Sequence, residues 1–181
     1  MPDKILIAYA SRGGSTASIA HAIAETLIEC GIMVDVYPMQ DIHDISPYSA
    51  VIAGSAIQKS RWLPEAMHFM KQYQTELAQK PFATFLVCLA LAVKDQQRQI
   101  QAQKQASNWL QPIRDLVNPL SEGMFAGVLD LSKIPIVYRI LFRVVIALGF
   151  FAEGDYRDWD AIRQWATTLS EKLLMNASPI L

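Results

Sequence analysis

The loop Ser11-Arg12-Gly13-Gly14-Ser15-Thr16 has the residue types and spacing best suited to binding chemistry in this sequence. It follows a short apolar run and precedes a segment with helical periodicity, so it connects a strand to a helix. Such a loop offers unpaired backbone N–H groups and the positive end of the helix dipole. The glycines permit close backbone approach and the hydroxyls add donors, so the loop suits a phosphate monoester.

Two common phosphate-binding motifs are absent from this loop. No G-K-[ST] follows a four-residue spacer, and no G-x-G-x-x-G is present, so neither a P-loop nor a Rossmann dinucleotide site is indicated. The alternative is an ordinary strand-to-helix turn with a serine cap. The position of the loop in the first strand–helix connection favours the phosphate site, because α/β proteins usually build nucleotide sites there.

Strands and helices alternate along the rest of the chain. Continuous apolar runs predict parallel strands that are buried on both faces. The predicted strands cover residues 5–10, 32–37, 50–54, 82–89 and 125–131. The predicted helices run from residue 15 to residue 30, from Pro64 onward, and from Asp158 onward.

This alternation predicts βαβ units with right-handed crossovers, and therefore a doubly wound sheet. Ligands of such sheets bind at the carboxyl ends of the strands, where the winding direction switches. We expect three segments to converge at that edge: Ser11–Thr16, a loop over Ser55–Trp62, and Leu89–Asp95.

Composition limits the other classes of function. The 181 residues suit one domain, 52% of them are hydrophobic, 18% are charged, and the net charge is −1. We therefore expect no nucleic-acid partner. Cys30 and Cys88 lie far apart and predict buried, reduced thiols. His21, His43 and His68 show no ligand spacing, so no metal site is predicted.

The segment ILIAYASRGGSTASIAHAIAETL resembles the start of flavodoxins, and more closely that of the menaquinone-dependent protoporphyrinogen dehydrogenase family. The loop of that family has a serine or threonine, an arginine, a small or acidic residue, a glycine and a final threonine, which this loop matches. Three later segments match in order: VIAGSAIQKSRWLPEAMHFM, KPFATFLVCLALA and GDYRDWDAIRQWA. The resemblance covers nearly the whole chain, with residues 93–122 weakly matched.

The resemblance implies a single flavodoxin-like α/β domain over residues 1–181, with a doubly wound five-stranded parallel sheet of order 2-1-3-4-5, helices on both faces, and an apolar helical insertion at residues 132–152. It implies FMN as the cofactor. The residues implied to bind the phosphate are Ser11, Arg12, Gly13, Gly14, Ser15 and Thr16. Those implied to flank the isoalloxazine ring are Ser55, Ala56, Ile57, Leu89, Ala90 and Leu91.

An aromatic residue stacks on the flavin in many related proteins, and Trp62 is the nearest candidate in the second loop. Lys59 stands where the family pattern has a tyrosine, which leaves the stacking partner open. A lone tryptophan in a loop more often anchors packing, so that interpretation of Trp62 stays open as well.

The insertion contains the apolar run IPIVYRILFRVVIALGFF, Ile134 to Phe151, interrupted by Arg139 and Arg143. A spanning helix needs about twenty apolar residues, and a central arginine is costly, so a transmembrane anchor is disfavoured. The two arginines share one helix face, which favours a helix in the membrane interface. A protein or dimer interface, a core helix, and pairing of the arginines with porphyrin propionates are the alternatives.

The resemblance implies an FMN-dependent, quinone-linked dehydrogenase similar to the protoporphyrinogen IX dehydrogenases, with a role in heme biosynthesis. Its expected partners are a porphyrinogen or other apolar donor, a quinone and the inner membrane surface, to which a cytoplasmic protein binds peripherally. No side chain stands out as a catalytic acid or base. The alternatives are a flavodoxin-type electron carrier, an FMN-dependent NAD(P)H:quinone reductase, and a scaffold that has lost its flavin.

Overall fold

The computed structural model describes residues 4–93, 95–130, 132 and 153–177. The strands are β1 Ile5–Ala10, β2 Val34–Pro38, β3 Ala50–Gln58, β4 Arg61–Trp62, β5 Phe82–Val87, β6 Ser121–Phe125, β7 Val128–Leu129 and β8 Gly154–Asp155. The helices are α1 Ser15–Glu29, α2 Pro64–Gln72, α3 Gln74–Leu77, α4 Gln96–Arg114 and α5 Trp159–Ala177. Short 3₁₀ turns cover Met39–Asp41 and Leu89–Ala92.

The central sheet has the order β2-β1-β3-β5-β6, and all of these neighbouring strands pair in parallel. The α/β, doubly wound fold class is therefore confirmed. The sheet departs from the predicted one because β4 adds a short antiparallel strand to β3. The fifth parallel strand was also placed wrongly: it covers Ser121–Phe125, whereas Val128–Leu129 pairs with Gly154–Asp155 in a separate ribbon.

Helices cover both faces of the sheet. Alternate residues of β1 point to opposite faces of the sheet. Ile5 and Ile7 pack on the face covered by α1 and α5. Leu6 and Ala8 pack on the face covered by α2, α3 and α4. The glutamine-rich segment forms α4, and the small or apolar residues on one of its faces are buried: Ala102, Ala106, Leu110 and Ile113. Polar composition thus did not prevent this helix from covering the sheet.

Helix ends follow the sequence signals. Gly31 has φ 84° directly after α1, the left-handed conformation that a C-terminal glycine adopts readily. At the start of α5, Asp158 Oδ1 accepts a hydrogen bond from the N–H of Ala161 at 3.0 Å. These caps confirm the predicted end of α1 and start of α5.

The apolar insertion predicted at residues 132–152, with Arg139 and Arg143, lies outside the described residues except for Ser132. Among the described stretches, no helix combines the length and apolar character that crossing a bilayer requires.

Candidate functional site

Strand register brings the ends of β1, β3, β5 and β6 to one edge of the sheet. Ala10 lies opposite Ser55, and Ser55 lies opposite Leu86. Val87 lies opposite Phe125 on the far side. The segments that follow these positions therefore meet at the carboxyl edge. They are Ser11–Thr16, Ala56–Ile57, Leu89–Leu91 and the unanticipated Ala126–Gly127.

The loop after β1 closes on itself before α1 begins. The N–H of Gly14 donates to Ser11 Oγ at 3.0 Å, and Gly14 has φ 88°, which L-residues adopt only under strain. Arg12, Gly13 and Gly14 are exposed. A Cβ added at Gly13 would meet no atom within 4 Å, so this backbone is open to a ligand.

Thr16, in the first turn of α1, is fully buried. Its Oγ1 has no hydrogen-bond partner among the described residues. A buried hydroxyl without a partner costs about 1–3 kcal/mol. An oxygen ligand bound at the N-terminus of α1 would supply the hydrogen-bond partner that the Thr16 hydroxyl lacks.

Arg12 reaches across to α2, where its Nη2 lies 3.0 Å from Glu65 Oε2. Both residues line a cavity of about 300 Å³, which also includes Ser11 and Gly14 and extends to Gln40 after β2. Glu65 had no assigned role from the sequence. Its carboxylate compensates the arginine charge beside the loop.

The segment Ser55–Trp62, predicted as a loop, is instead a hairpin. Strand β3 continues to Gln58, Lys59 and Ser60 turn with φ of 48° and 60°, and β4 pairs back. Ser55 Oγ donates to the carbonyl of Ala56 at 2.9 Å and accepts from the N–H of Leu63 at 3.2 Å. The Ser55 hydroxyl therefore braces the hairpin, and half-buried Ala56 and Ile57 face the edge.

Trp62, the candidate for an aromatic that stacks on the flavin, lies in the core. Its side chain is only 5% exposed. The indole Nε1 donates to the carbonyl of Trp109 in α4 at 2.7 Å. This ring therefore anchors the hairpin to α4.

The segment after β5 forms a half-buried 3₁₀ turn over Leu89–Ala92. Cys88 precedes it, and burial raises the pKa of its thiol to about 11. The N–H of Cys88 donates to the carbonyl of Phe125 at 3.0 Å. This bond aligns the turn with the end of β6.

A second cavity, of about 410 Å³, lies between the turn after β5, the end of β6 and the start of α5. Its lining includes Leu91, Gln103, Phe125, Tyr156 and Asp158. Neither of the two cavities joins all three predicted segments, because Ser11, Arg12 and Gly14 line one and Leu91 lines the other.

The segment 153–158 also belongs to this edge, and no role was assigned to it from the sequence. The N–H of Tyr156 donates to the carbonyl of Gly127 at 3.1 Å. A Cβ at Gly127 would lie 3.3 Å from Ser15 Oγ. The absence of a side chain at Gly127 therefore lets the segment after β6 approach the loop after β1. Arg157 Nη1 donates to Ser18 Oγ in α1 at 2.6 Å. The sequence signal for this segment is GDYRDWD, which is part of a segment that resembles the protoporphyrinogen dehydrogenase family.

Residues 6–149 match the family model described as "Flavodoxin domain". The chain belongs to the flavodoxin domain family. Two curated relatives carry the name "Protoporphyrinogen IX dehydrogenase [quinone]". The protein from Escherichia coli (strain K12) is 26% identical over 175 residues, covering 92% of this chain and 94% of its own. That from Leishmania major is 25% identical over 177 residues, covering 91% and 73%.

Solved flavodoxins share the fold. A short-chain flavodoxin associated with a bacterial microcompartment superposes with a TM-score of 0.61 at 11% identity, over 97% of this chain and 99% of that one. Oxidised flavodoxin 2 from Bacillus cereus gives a TM-score of 0.55 at 20% identity, over 96% and 99%. The family model and the two curated relatives confirm the resemblance noted from the sequence.

The flavodoxin domain identifies the protein as an FMN-type oxidoreductase. The loop geometry fits a phosphate-bearing cofactor on two independent counts. Its exposed glycine backbone is open, and the buried Thr16 hydroxyl lacks a partner among the described residues.

Proposed function

We propose that this flavodoxin-domain protein is a dehydrogenase that oxidises a porphyrinogen or another apolar donor and delivers the electrons to a quinone, as a step of heme biosynthesis. The observation that carries the proposal is the alignment with two relatives named for this activity, over 92% and 91% of the chain. The protein is one domain over residues 1–181 in this proposal, with residues 132–152 as an insertion.

The loop Ser11–Thr16 binds the FMN phosphate in this proposal. Its support is the left-handed Gly14, which precedes the first helical N–H groups, and the exposed guanidinium of Arg12. The ring lies between the hairpin residues Ser55–Ile57 and the turn Leu89–Leu91, which register brings to the same edge. Trp62 is omitted from this set because its indole is buried.

Bound FMN would supply the redox chemistry, which is two-electron transfer from the donor to the quinone, with the two protons that the donor releases balanced by the two that the quinol takes up. The protein supplies position and a partly dry surface, to which half-buried Ala56, Ile57 and Leu91 contribute. The 410 Å³ cavity beside Leu91 offers the second substrate an approach to that surface. We assign no acid or base.

Membrane association is a further part of the proposal, and its support is the sequence of residues 134–151. Arginines at positions 139 and 143 in an otherwise apolar run suit a helix on the cytoplasmic face of a membrane with anionic headgroups. Retention of the protein by anionic vesicles, and loss of retention after deletion of residues 133–151, tests this part separately from the chemistry.

The deciding experiment is anaerobic reduction of the flavin in the purified protein, followed by absorbance. Protoporphyrinogen is compared with NADH and NADPH as donor, and a menaquinone analogue is then added as acceptor. We expect protoporphyrinogen to bleach the flavin and the quinone to restore its colour. Reduction by NAD(P)H alone would instead identify an NAD(P)H:quinone reductase, and a colourless protein that takes up no FMN would overturn the site.

An electron carrier of the flavodoxin type is the alternative that this experiment also separates, since a carrier would be reduced by neither donor without a partner protein. The net charge of −1 counts against it. Dedicated carriers use strong charge to steer docking.

A further inference from the structure

Arg157 is tied to the first turn of α1, although 139 positions separate it from the residue it contacts there. Its Nη1 donates to Ser18 Oγ at 2.6 Å. The Ser18 hydroxyl in turn approaches the carbonyl of Ser15 at 2.9 Å and that of Gly14 at 3.2 Å. A chain of hydrogen bonds therefore runs from Arg157 to the peptide groups of the loop.

These two peptide groups also contain the N–H groups that the loop presents to a phosphate. The carbonyl of Gly14 shares a planar trans peptide with the N–H of Ser15, and the carbonyl of Ser15 shares one with the N–H of Thr16. In a trans peptide the C=O and N–H point in opposite directions. The Gly14 carbonyl already accepts the helical N–H of Ser18 at 3.1 Å. The single hydrogen of the Ser18 hydroxyl, shared between the two carbonyls or given to one of them, adds to this hold and keeps the N–H groups of Ser15 and Thr16 pointing out of the helix, toward the phosphate position.

Arg157 also fixes the sense of the Ser18 hydroxyl. A serine oxygen that accepts from a guanidinium directs its one hydrogen elsewhere, here toward the carbonyls of Ser15 and Gly14, of which that of Ser15 is the nearer. A charged donor polarises the hydroxyl and strengthens the bond that it donates. The hydroxyl would otherwise be free to rotate.

The guanidinium is itself immobilised. Its Nε donates to Asp155 Oδ1 at 2.8 Å, and its Nη2 donates to Asp155 Oδ2. Its carbon lies 4.4 Å from the centre of the Trp159 ring, and the side chain is only 17% exposed. Little further entropy is lost when the guanidinium holds Ser18, since the geometry exists before any ligand binds.

We propose that Arg157 is a positioning residue for the FMN phosphate: through Ser18 it holds the N–H groups of Ser15 and Thr16 in their binding orientation. This inference rests on the proposed FMN site. It assigns a role to the GDYRDWD segment, which contributes to binding of the phosphate and not of the ring.

Position, and not net charge, is the basis of the effect. Asp155 neutralises the guanidinium at a direct contact, and the side-chain hydrogen bond from Arg157 lowers the pKa of the Asp155 carboxyl. The pair therefore contributes little long-range attraction to a phosphate. Lysine at position 157 keeps the charge but lacks the planar fork that holds Asp155 and Ser18 together.

The test is titration of the full-length apoprotein with FMN and with riboflavin, which lacks the phosphate, followed by quenching of flavin fluorescence. The variants are Arg157→Gln, Arg157→Lys and Ser18→Ala. The matched control is Arg163→Gln, which removes an exposed arginine of α5 that pairs with Asp160 at 3.4 Å. Thermal melting verifies that each variant folds.

We expect Arg157→Gln, Arg157→Lys and Ser18→Ala each to weaken FMN binding on the order of tenfold, with riboflavin binding unchanged. Arg163→Gln should bind both flavins like the wild type. FMN binding at wild-type strength in the Arg157 variants, or equal weakening for both flavins, would overturn the inference. If Arg157→Gln does not fold, Ser18→Ala decides the question. A wild-type protein that binds no FMN refutes the proposed site instead.

Discussion

The backbone N–H of Gly14 donates to the hydroxyl oxygen of Ser11 at 3.0 Å, which closes the loop that precedes α1. This bond holds Gly14 in the left-handed conformation, with φ 88°. The next peptide groups then begin the helix, where the first N–H groups have no partner within the helix. A short-range contact between two small residues thus prepares the proposed anion site before any ligand is present.

Gly14→Asp should abolish FMN binding. The substitution places a carboxylate where the proposed site receives a phosphate, so repulsion between like charges and steric bulk act together. FMN content of the purified protein and the dissociation constant measured by fluorescence quenching check this prediction.

Gly31→Asp is the matched control for the Gly14 prediction. Gly31 also has positive φ, 84°, and a Cβ there would meet no atom within 4 Å. Gly31 lies at the opposite end of α1. Gly31→Asp therefore introduces the same backbone strain and the same negative charge as Gly14→Asp, but away from the loop. FMN retention by Gly14→Asp at the level of Gly31→Asp would refute the assignment of the loop.

The parts of the fold that the sequence predicts well are those governed by local rules. β1 is an uninterrupted apolar run, and Gly31 marks the end of α1 because few other residues adopt its φ. The hairpin at Ser55–Trp62 was missed because Lys59 and Ser60 both adopt positive φ without a glycine or asparagine to signal the turn.

The fifth parallel strand was misplaced because its sequence, SEGMF, looks polar. The charge of Glu122 is matched by Arg114 of α4 at 2.6 Å, a long side-chain contact that composition does not reveal. The role proposed for Arg157 was missed for the same reason, since its partner Ser18 lies 139 positions away. Contacts between distant segments are set by the packed fold and carry no local pattern.

Thr16→Val should weaken FMN binding by roughly tenfold without destabilising the apoprotein. Valine matches threonine in shape, and the Thr16 hydroxyl has no hydrogen-bond partner among the described residues, so its loss removes an unsatisfied buried group. Urea unfolding of the apoprotein and FMN titration measure the two effects.

Thr26→Val on the same helix provides the comparison for Thr16. Thr26 is also buried, but its Oγ1 donates to the carbonyl of Ala22 at 2.9 Å. We expect this variant to bind FMN normally and to lose about 1 kcal/mol of unfolding free energy. Normal FMN binding by Thr16→Val would show that the hydroxyl takes no part in the site.

Glu65→Gln should strengthen FMN binding, roughly three- to fivefold at low salt. The Glu65 carboxylate lies 3.0 Å from Arg12 Nη2 and lines the cavity beside the loop. Removing its charge leaves Arg12 uncompensated toward a phosphate, and added salt should diminish the gain. Unfolding free energy should change by less than about 1 kcal/mol, because Arg12 is 54% exposed.

Glu76→Gln makes the same change of charge in α3, next to the opposite edge of the sheet, and should leave FMN binding unaltered. Weaker FMN binding by Glu65→Gln would contradict the electrostatic argument. It would show instead that Glu65 is needed to hold Arg12 in place.

Cys88 should resist thiol reagents in the folded protein, whereas Cys30 reacts. Cys88 is 5% exposed and burial raises the pKa of its thiol from 9.0 to about 11. Cys30 is exposed at the end of α1, so the prediction of a buried thiol is wrong at that position. A colorimetric thiol assay at about pH 8 should count one thiol in the native protein and both in denaturant. Cys30→Ser should then show none until it unfolds, and rapid labelling of that variant in its native state would contradict the prediction.

The same pKa shift predicts how stability depends on pH. The folded-state pKa of Cys88 lies above its unfolded value, so the unfolded chain releases the proton first. The stabilising contribution is therefore complete below about pH 9 and is lost as the pH rises toward about 11. Urea unfolding across this range should show a steeper decline for the wild type than for Cys88→Ala. Parallel declines would mean that the thiol ionises as readily in the fold as in the unfolded chain.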